Sequence, residues 1–538
     1  MDLYTLIGDM DENFYQLGLK DRESGKLVHN DVKRMLATSI KTVDKVIEET
    51  AKQIIKNALL RKTNQNTHLN AYAEGLGLPL EDVFFVMLVP EIVSAMSKWA
   101  PGLAKGSLGC SSYMMRNENQ SVVHGRILDF PLQGSFDKHE RAILYDLNGM
   151  PKTLGFGAAG IPYPSITLMT EDGMTLALHQ KFTNIINKDG QSIFELIINL
   201  LKNANDKKSV LEFLKMNQSF TTWCLYMSFK NGDILAVDIM GDSIYANEYT
   251  LEENQILYFN NHLEDKTINQ ENFLPLGFNQ FNLMREELAH KKISHFLKRK
   301  KRTDEDLIKM ISTPYEQSFK HHNYSHYNLD PLTPSSLQIV TMNPTESKAL
   351  FIKGDAPKVY RNNLIEIQNT FNDPKLEKIL DKKYSPLHEN LYQGLHALME
   401  AQIGFDQRDS QKVYHHLQFA IDHFDNHIEE GMAKFYFLVA QYMYETHEKV
   451  LSNILHDFRL LEGKLPQALN DHCLLFIGRL EKILNLHPSV EEDCIKHPKV
   501  REIFQRESRI PRMVFHLTTK MMMVPRIDLM DIIYIHTV

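Results

Sequence analysis

Hydrophobic positions fall into three regimes along the chain. Within residues 31–60, Val32, Met35, Leu36, Ile40, Val43, Val46, Ile47 and Ile54 recur at helical spacing, which predicts amphipathic helix. A polar stretch at 62–70 interrupts it. Pro79 with Glu81 and Asp82 then marks a helix start ahead of the apolar run 83–89. Residues 1–109 therefore read as mostly helical. From Cys110 to about Tyr360 the pattern shortens to strand-like runs, such as 121–125, 141–145, 174–178 and 234–239. Asn148-Gly149, Asp172-Gly173 and Asn231-Gly232 supply turn dipeptides between them, because glycine accepts the positive φ that tight hairpins need. Helical patterns at 191–203 and 207–216 split the strands into groups. This middle region reads as α+β built on hairpins rather than on alternating βαβ units.

Beyond residue 360 strand signals almost vanish. Segments near 387–404, 410–427, 430–446, 448–460 and 467–485 carry amphipathic helical patterns with short connections. Residues 413–421 are similar to the second helix of a tetratricopeptide hairpin, but no 34-residue period accompanies them. The chain thus divides into a helical segment 1–109, an α+β core 110–360 and an all-α region 361–538.

Composition narrows the chemistry. Of 538 residues 43% are hydrophobic and 24% charged, an ordinary globular balance with enough chain for sizeable cores. A net charge of -8 gives no general attraction for nucleic acid. Cys110, Cys224, Cys473 and Cys494 show no CxxC spacing, which argues against a disulfide scaffold or a four-thiolate zinc site. Cys224 and Cys473 sit in apolar runs and read as core, Cys494 as a surface thiol. The N-terminus lacks a basic region ahead of its apolar residues, and no apolar run approaches the ~20 residues of a membrane span. These features predict a soluble, cytoplasmic protein.

His321, His322 and His326 have ligand-like spacing without a carboxylate or thiolate to complete a set. There is no Walker loop, no GxSxG and no GxGxxG after a strand, so neither metal nor cofactor is expected. The basic run 298–302, next to Asp304-Glu305-Asp306, reads as a solvated helix end.

One cluster stands apart. Gly109-Cys110-Ser111-Ser112 lies where helix gives way to strand, and Arg126 and Asp129 follow sixteen and nineteen residues after Cys110. A hairpin of that length returns both to the start of the first strand. A guanidinium there favours a thiolate, and a carboxylate orients an amine or holds the arginine.

The stretch from Gly109-Cys110-Ser111-Ser112 to His124-Gly125-Arg126-Ile127-Leu128-Asp129 resembles the cysteine N-terminal-nucleophile (Ntn) hydrolases. It is closest to the acyl-coenzyme A:6-aminopenicillanate acyltransferase, acid ceramidase and choloylglycine hydrolase group. Ala73-Glu74-Gly75-Leu76-Gly77, Tyr15-Gln16-Leu17-Gly18, Leu178-His179-Gln180-Lys181-Phe182, Phe259-Asn260-Asn261-His262, the stretch 341–344 and Lys353-Gly354-Asp355-Ala356-Pro357 resemble further family segments in the same order. The resemblance covers residues ~10–360 and leaves the C-terminal helices outside it.

What the resemblance implies is an αββα four-layer sandwich with an N-terminal helical pro-segment and a C-terminal all-α domain added. It implies self-cleavage between Gly109 and Cys110, which frees an α-amine to act as base for its own thiol. Cys110, Arg126, Asp129 and Asn261 are then the catalytic set, with Asn261 as oxyanion donor. His179, Gln180 and Arg285 fall at substrate-binding positions. The implied reaction is hydrolysis or acyl transfer at a linear carbon–nitrogen amide bond through a thioester, with a small-molecule N-acyl amide or acyl donor as substrate and no nucleic-acid partner. The sequence departs from the family at Ile127, where asparagine is usual, at Ser111, where threonine is commoner, and at His179-Gln180. Those departures sustain a rival reading, a non-catalytic or only self-processing domain that serves as a scaffold through its C-terminal helices. Self-association is left open.

Overall fold

The computed structural model describes residues 2–34, 41–58, 67–99, 109–130, 132–183, 185–268, 276–313, 332, 335–380, 389–424 and 429–534. The chain opens on a strand, β1 (Asp2–Gly8), where the sequence suggests helix. Helices α1 (Met10–Lys20), α2 (Ser24–Arg34), α3 (Lys41–Ala58), α4 (Thr67–Leu76) and α5 (Leu80–Trp99) follow. The middle region supplies β2 (Gly109–Arg116), β3 (Val122–Asp129), β4 (Glu140–Leu147), β5 (Thr153–Ala158), β6 (Thr167–Thr170) and β7 (Met174–Gln180). After helices α6 (Ile193–Asn203) and α7 (Lys207–Met216) come β8 (Thr222–Phe229), β9 (Asp233–Met240), β10 (Ser243–Thr250) and β11 (Ile256–Phe259). Next are α8 (Leu276–Phe296) and α9 (Asp304–Ser312), then β12 (Ser336–Asn343) and β13 (Lys348–Ile352).

The expected hairpin turns are present, with Gly149, Gly173 and Gly232 at φ of 82°, 98° and 96°. These strands form two sheets. One has eight strands in the order β1-β4-β5-β6-β7-β8-β9-β10, with β1 parallel to β4. The other has seven, β11-β2-β3-β12-β13-β14-β15, and its last two members, β14 (Leu364–Gln368) and β15 (Lys375–Lys378), lie beyond residue 360. The segment 353–357, singled out by its resemblance, is the loop after β13.

Side-chain parity explains the layering, because alternate strand residues face opposite sides of a sheet. In β4, Ala142 and Leu144 pack with Val340, Met342 and Phe351 of the seven-stranded sheet, so these side chains fill the space between the sheets. Ile143 and Tyr145 point the other way and pack with Phe14, Leu17, Leu196 and Leu200 of the helices. In β2, Met114 meets Cys224 and Tyr226 across the gap, whereas Tyr113 and Met115 share a cluster with Ala289 and Ile293 of α8. Ile127 of β3 belongs to that same outward cluster. Its apolar side chain therefore fills a helix-facing core position, and parity keeps it away from the inner face of β3.

The region 361–538, expected to be all-α, holds β14 and β15 and then the helices α10 (Glu389–Gln407), α11 (Ser410–His423), α12 (Glu429–Tyr444), α13 (Glu448–Leu461), α14 (Gln467–Ile483), α15 (Pro498–Ser508) and α16 (Arg512–Met521). A small antiparallel pair, β16 (Met523–Arg526) and β17 (Asp531–Tyr534), closes it. One continuous core runs from Tyr113 and Met115 through Ala289 and Ile293 to Leu398, Val439 and Phe476. Among the described residues, no helix is long and apolar enough to cross a membrane.

Candidate active site

The β2–β3 hairpin brings the cysteine cluster together. Its register pairs Gly109 with Asp129, Cys110 with Leu128 and Ser112 with Arg126. Cys110, Ser112 and Arg126 thus share the face turned toward the eight-stranded sheet. Arg126 Nη2 donates to Cys110 Sγ at 3.0 Å and to Leu178 O on β7 at 2.5 Å. Its Nε and Nη1 are buried and have no hydrogen-bond partner among the described residues. Asp129 has the opposite parity and meets α8, where Arg285 Nη1 donates to its Oδ2 at 2.9 Å.

Arg285 is the hub of the array. Its Nη2 donates to Asn261 Oδ1 at 2.8 Å and to Asn282 Oδ1 at 2.5 Å. Asn261 Oδ1 also accepts the Cys110 backbone N–H at 2.7 Å, while its Nδ2 donates to Gln180 O at 3.1 Å. Ser336 Oγ donates to the other Asp129 oxygen at 2.5 Å, so both carboxylate oxygens are engaged. Asn282 and Ser336 escape the sequence reading. Asn282 stands three residues before Arg285 on one helix, a spacing that places the two side by side and was open to inspection. Ser336 lies 207 residues from Asp129, with no local signal to connect them.

Burial dominates the electrostatics. Cys110, Arg126, Asn261 and Arg285 are fully buried. Burial raises the Cys110 thiol above its ordinary range, and the Arg126 guanidinium pulls it back only in part. The same burial lowers Arg126. Burial thus favours the neutral Cys110 thiol, rather than the thiolate expected from the Arg126 spacing alone. Gly109 is tightly enclosed. A Cβ built there meets Asp129 Cβ and Oδ2 at 3.0 Å, so a larger residue before Cys110 would push the Asp129 side chain aside by a few tenths of an ångström.

The two remaining predicted residues face opposite ways. His179 Nδ1 lies 3.2 Å from Asn260 O and Nε2 lies 2.9 Å from Ser112 Oγ. A carbonyl can only accept, so Nδ1 carries the proton and Nε2 accepts from the serine hydroxyl. Burial, reinforced by Arg126 and Lys181, holds this imidazole well below its usual pKa and hence neutral. His179 is a strut between the sheets, with both ring nitrogens occupied. Gln180, on the other face, donates from Nε2 to Pro90 O at 2.7 Å and ties β7 to α5.

Among the described residues no group of three His, Cys, Asp or Glu side chains is placed to hold a metal ion. His321, His322 and His326 lie outside the described residues. In the basic run, Arg299 pairs with Asp306 at 2.9 Å and Lys301 with Glu118 at 3.6 Å, both on the surface. Cys224 and Cys473 are buried and Cys494 is exposed.

No protein-family model matches the sequence, and no curated protein matches it. Among solved structures the chain is similar to a Caenorhabditis elegans N-acylethanolamine-hydrolyzing acid amidase (NAAA) ortholog, at 16% sequence identity and a TM-score of 0.31. The match covers 44% of this chain and 93% of that one. So loose a superposition decides neither fold nor chemistry, and the hydrogen-bonded array must speak for itself.

Proposed function

We propose that this chain is a self-processing cysteine hydrolase of the Ntn type, with an αββα core, acting on the carbon–nitrogen bond of an N-acyl amide. The observation that carries the reading is the double grip on one residue. Cys110 Sγ accepts from Arg126 while its backbone nitrogen donates to Asn261, which Arg285 links to Asp129. A structural cysteine needs no such polar grip at both its sulfur and its nitrogen. A cysteine that becomes a nucleophile and its own base needs both held.

In processing, the Cys110 thiol adds to the Gly109 carbonyl carbon, the Gly109–Cys110 C–N bond breaks and the acyl group moves to sulfur. Water then cleaves the thioester, leaving a Gly109 carboxylate and a free Cys110 amine. An α-amine with an ordinary pKa near 8 accepts the thiol proton readily at neutral pH. Asn261 Oδ1 already points at that nitrogen, and Asp129 lies beside Gly109 in register. In turnover the thiolate attacks the substrate carbonyl, the amine product departs with the proton, and water or a second amine releases the acyl group.

In this reading Asn261 positions Cys110 and Arg285 in place of the expected oxyanion donation. Two donors fix its Oδ1 toward Cys110 N and Arg285, and its Nδ2 points to Gln180 O. Arg126 supplies oxyanion stabilisation instead, through the buried N–H groups that have no partner among the described residues.

Intact-mass measurement tests the reading. Wild-type protein is expected to show a break before Cys110, and Cys110→Ala to stay whole. Processed protein is expected to release free amine from a panel of N-acyl amides. A wild-type chain that stays uncut and forms no Cys110 acyl adduct would refute the proposal.

A further inference from the structure

Helix α16, in the C-terminal region, turns apolar side chains to both sides. Phe515 and Thr519 face inward and are buried. Met513 is 95% exposed, Leu517 66% and Val514 44%, so one contiguous outer face of a ten-residue helix is apolar. Single exposed apolar residues are unremarkable, but a clustered face on one helix asks for a partner.

Its charge surroundings say which. Arg509, the C-cap of α15, and Arg512, the first residue of α16, are both exposed beside this face. Neither makes an ion pair among the described residues. Arg512 donates from Nε and Nη2 to Ile483 O at 3.1 and 3.0 Å, bonds to a neutral carbonyl that leave its charge uncancelled. Lys520, at the other end, bonds to Glu445 O at 2.7 Å, with the Glu445 carboxylate as its nearest acid. The chain as a whole carries -8, so this cationic rim runs against the overall charge.

We infer that α16 docks on an anionic lipid surface, with Met513, Val514 and Leu517 entering the acyl boundary and Arg509 and Arg512 meeting the headgroup phosphates. Interfacial helices combine these two features, an apolar face and a cationic rim. A second copy of the chain is disfavoured, because a self-complementary contact would set one cationic rim against another. Nucleic acid is disfavoured too. The face has methionine, leucine and valine but no aromatic ring on which bases stack. The inference is independent of the chemistry at Cys110.

Co-sedimentation of the full chain with phosphatidylcholine vesicles, with and without phosphatidylserine, tests it. Binding is expected only to the anionic vesicles and should fall with added salt. Arg509→Ala is expected to weaken it about five-fold, and Arg509→Ala with Arg512→Ala about thirty-fold. Met513→Asp with Leu517→Asp should abolish it while circular dichroism and melting stay unchanged. Since Arg509 is a surface residue, its single variant keeps the test valid if the apolar double variant misfolds. Equal binding to neutral vesicles, binding to neither, or binding unmoved by these variants would overturn the inference. So would a dimer dissolved by the Leu517 change, or binding to single-stranded RNA with the same mutational sensitivity.

Discussion

Two cysteines face the space between the sheets from opposite sides, Cys110 on β2 and Cys224 on β8. Both are fully buried, and burial raises both thiols. They differ in what stands beside them. Around Cys110 the foremost charge is Arg126, which opposes burial; Asp129 adds to burial, and Arg285, paired with Asp129, opposes it. Around Cys224 the foremost charge is Asp238, which pushes the same way as burial and is joined by Glu264, with Lys181 and a Tyr226 hydrogen bond against them. Desolvation is common to both, so the foremost neighbouring charge, a guanidinium at one and a carboxylate at the other, is what sets the two thiols apart.

The sharpest way to break the comparison is to remove the cation. Arg126→Met keeps an aliphatic stem and deletes the charge. It should slow processing, and alkylation of Cys110 at neutral pH, by roughly 10²–10³-fold, followed by mass spectrometry of the peptide containing Cys110. An unchanged rate would place Cys110 in the same class as Cys224.

A second test extends the contrast to a carboxyl. Glu91 of α5 is buried at the start of α6, and its Oε1 accepts the Ile193 N–H at 2.8 Å. Burial raises it to about 8, with Glu195 adding repulsion. The folded state therefore prefers the protonated form. The resulting stability is complete below the unfolded pKa near 4.3 and is lost as pH rises toward 8. Across that window the loss reaches up to about 5 kcal/mol. Thermal melting at pH 5 and pH 8 should show the drop in the wild type and its near-absence in Glu91→Gln. The smallest effect is expected at Cys224. Cys224→Ala should cost only about 1 kcal/mol in a denaturant titration and leave the rate of processing unchanged.

How much of this was legible in the sequence depends on the distance over which each contact acts. The β2–β3 hairpin, and hence the meeting of Cys110 with Arg126, follows from local spacing and period-two alternation. The glycine turns follow from backbone sterics at single dipeptides. β1 was hidden, because this seven-residue strand pairs in parallel with β4, far along the chain. β14 and β15 were hidden for another reason. They lie at the end of the sheet, and β15 is Lys-Leu-Glu-Lys and wholly exposed, so charges that suit an edge erase the hydrophobic pattern. Within the site, Arg285 carried no pattern that separates it from a solvated helix arginine, and Ser336 carried none at all. Parity also reassigned Ile127. As a departure from a motif it sustained the rival reading, whereas in the fold it is an apolar side chain in an apolar layer.

The bond from Ser336 to Asp129 has a consequence in time. Strand β3 lies between β2 and β12, so one of its edges stays open until β12 is made. During synthesis the ribosome must add more than two hundred residues after Asp129 before that edge is paired and the carboxylate acquires its second anchor. The hairpin carrying Cys110 thus spends much of translation as an unpaired edge, the kind of surface on which nascent chains misassociate. The proposed scission before Cys110 would accordingly wait for β12, which brings the second anchor of Asp129, rather than follow the emergence of the cysteine itself.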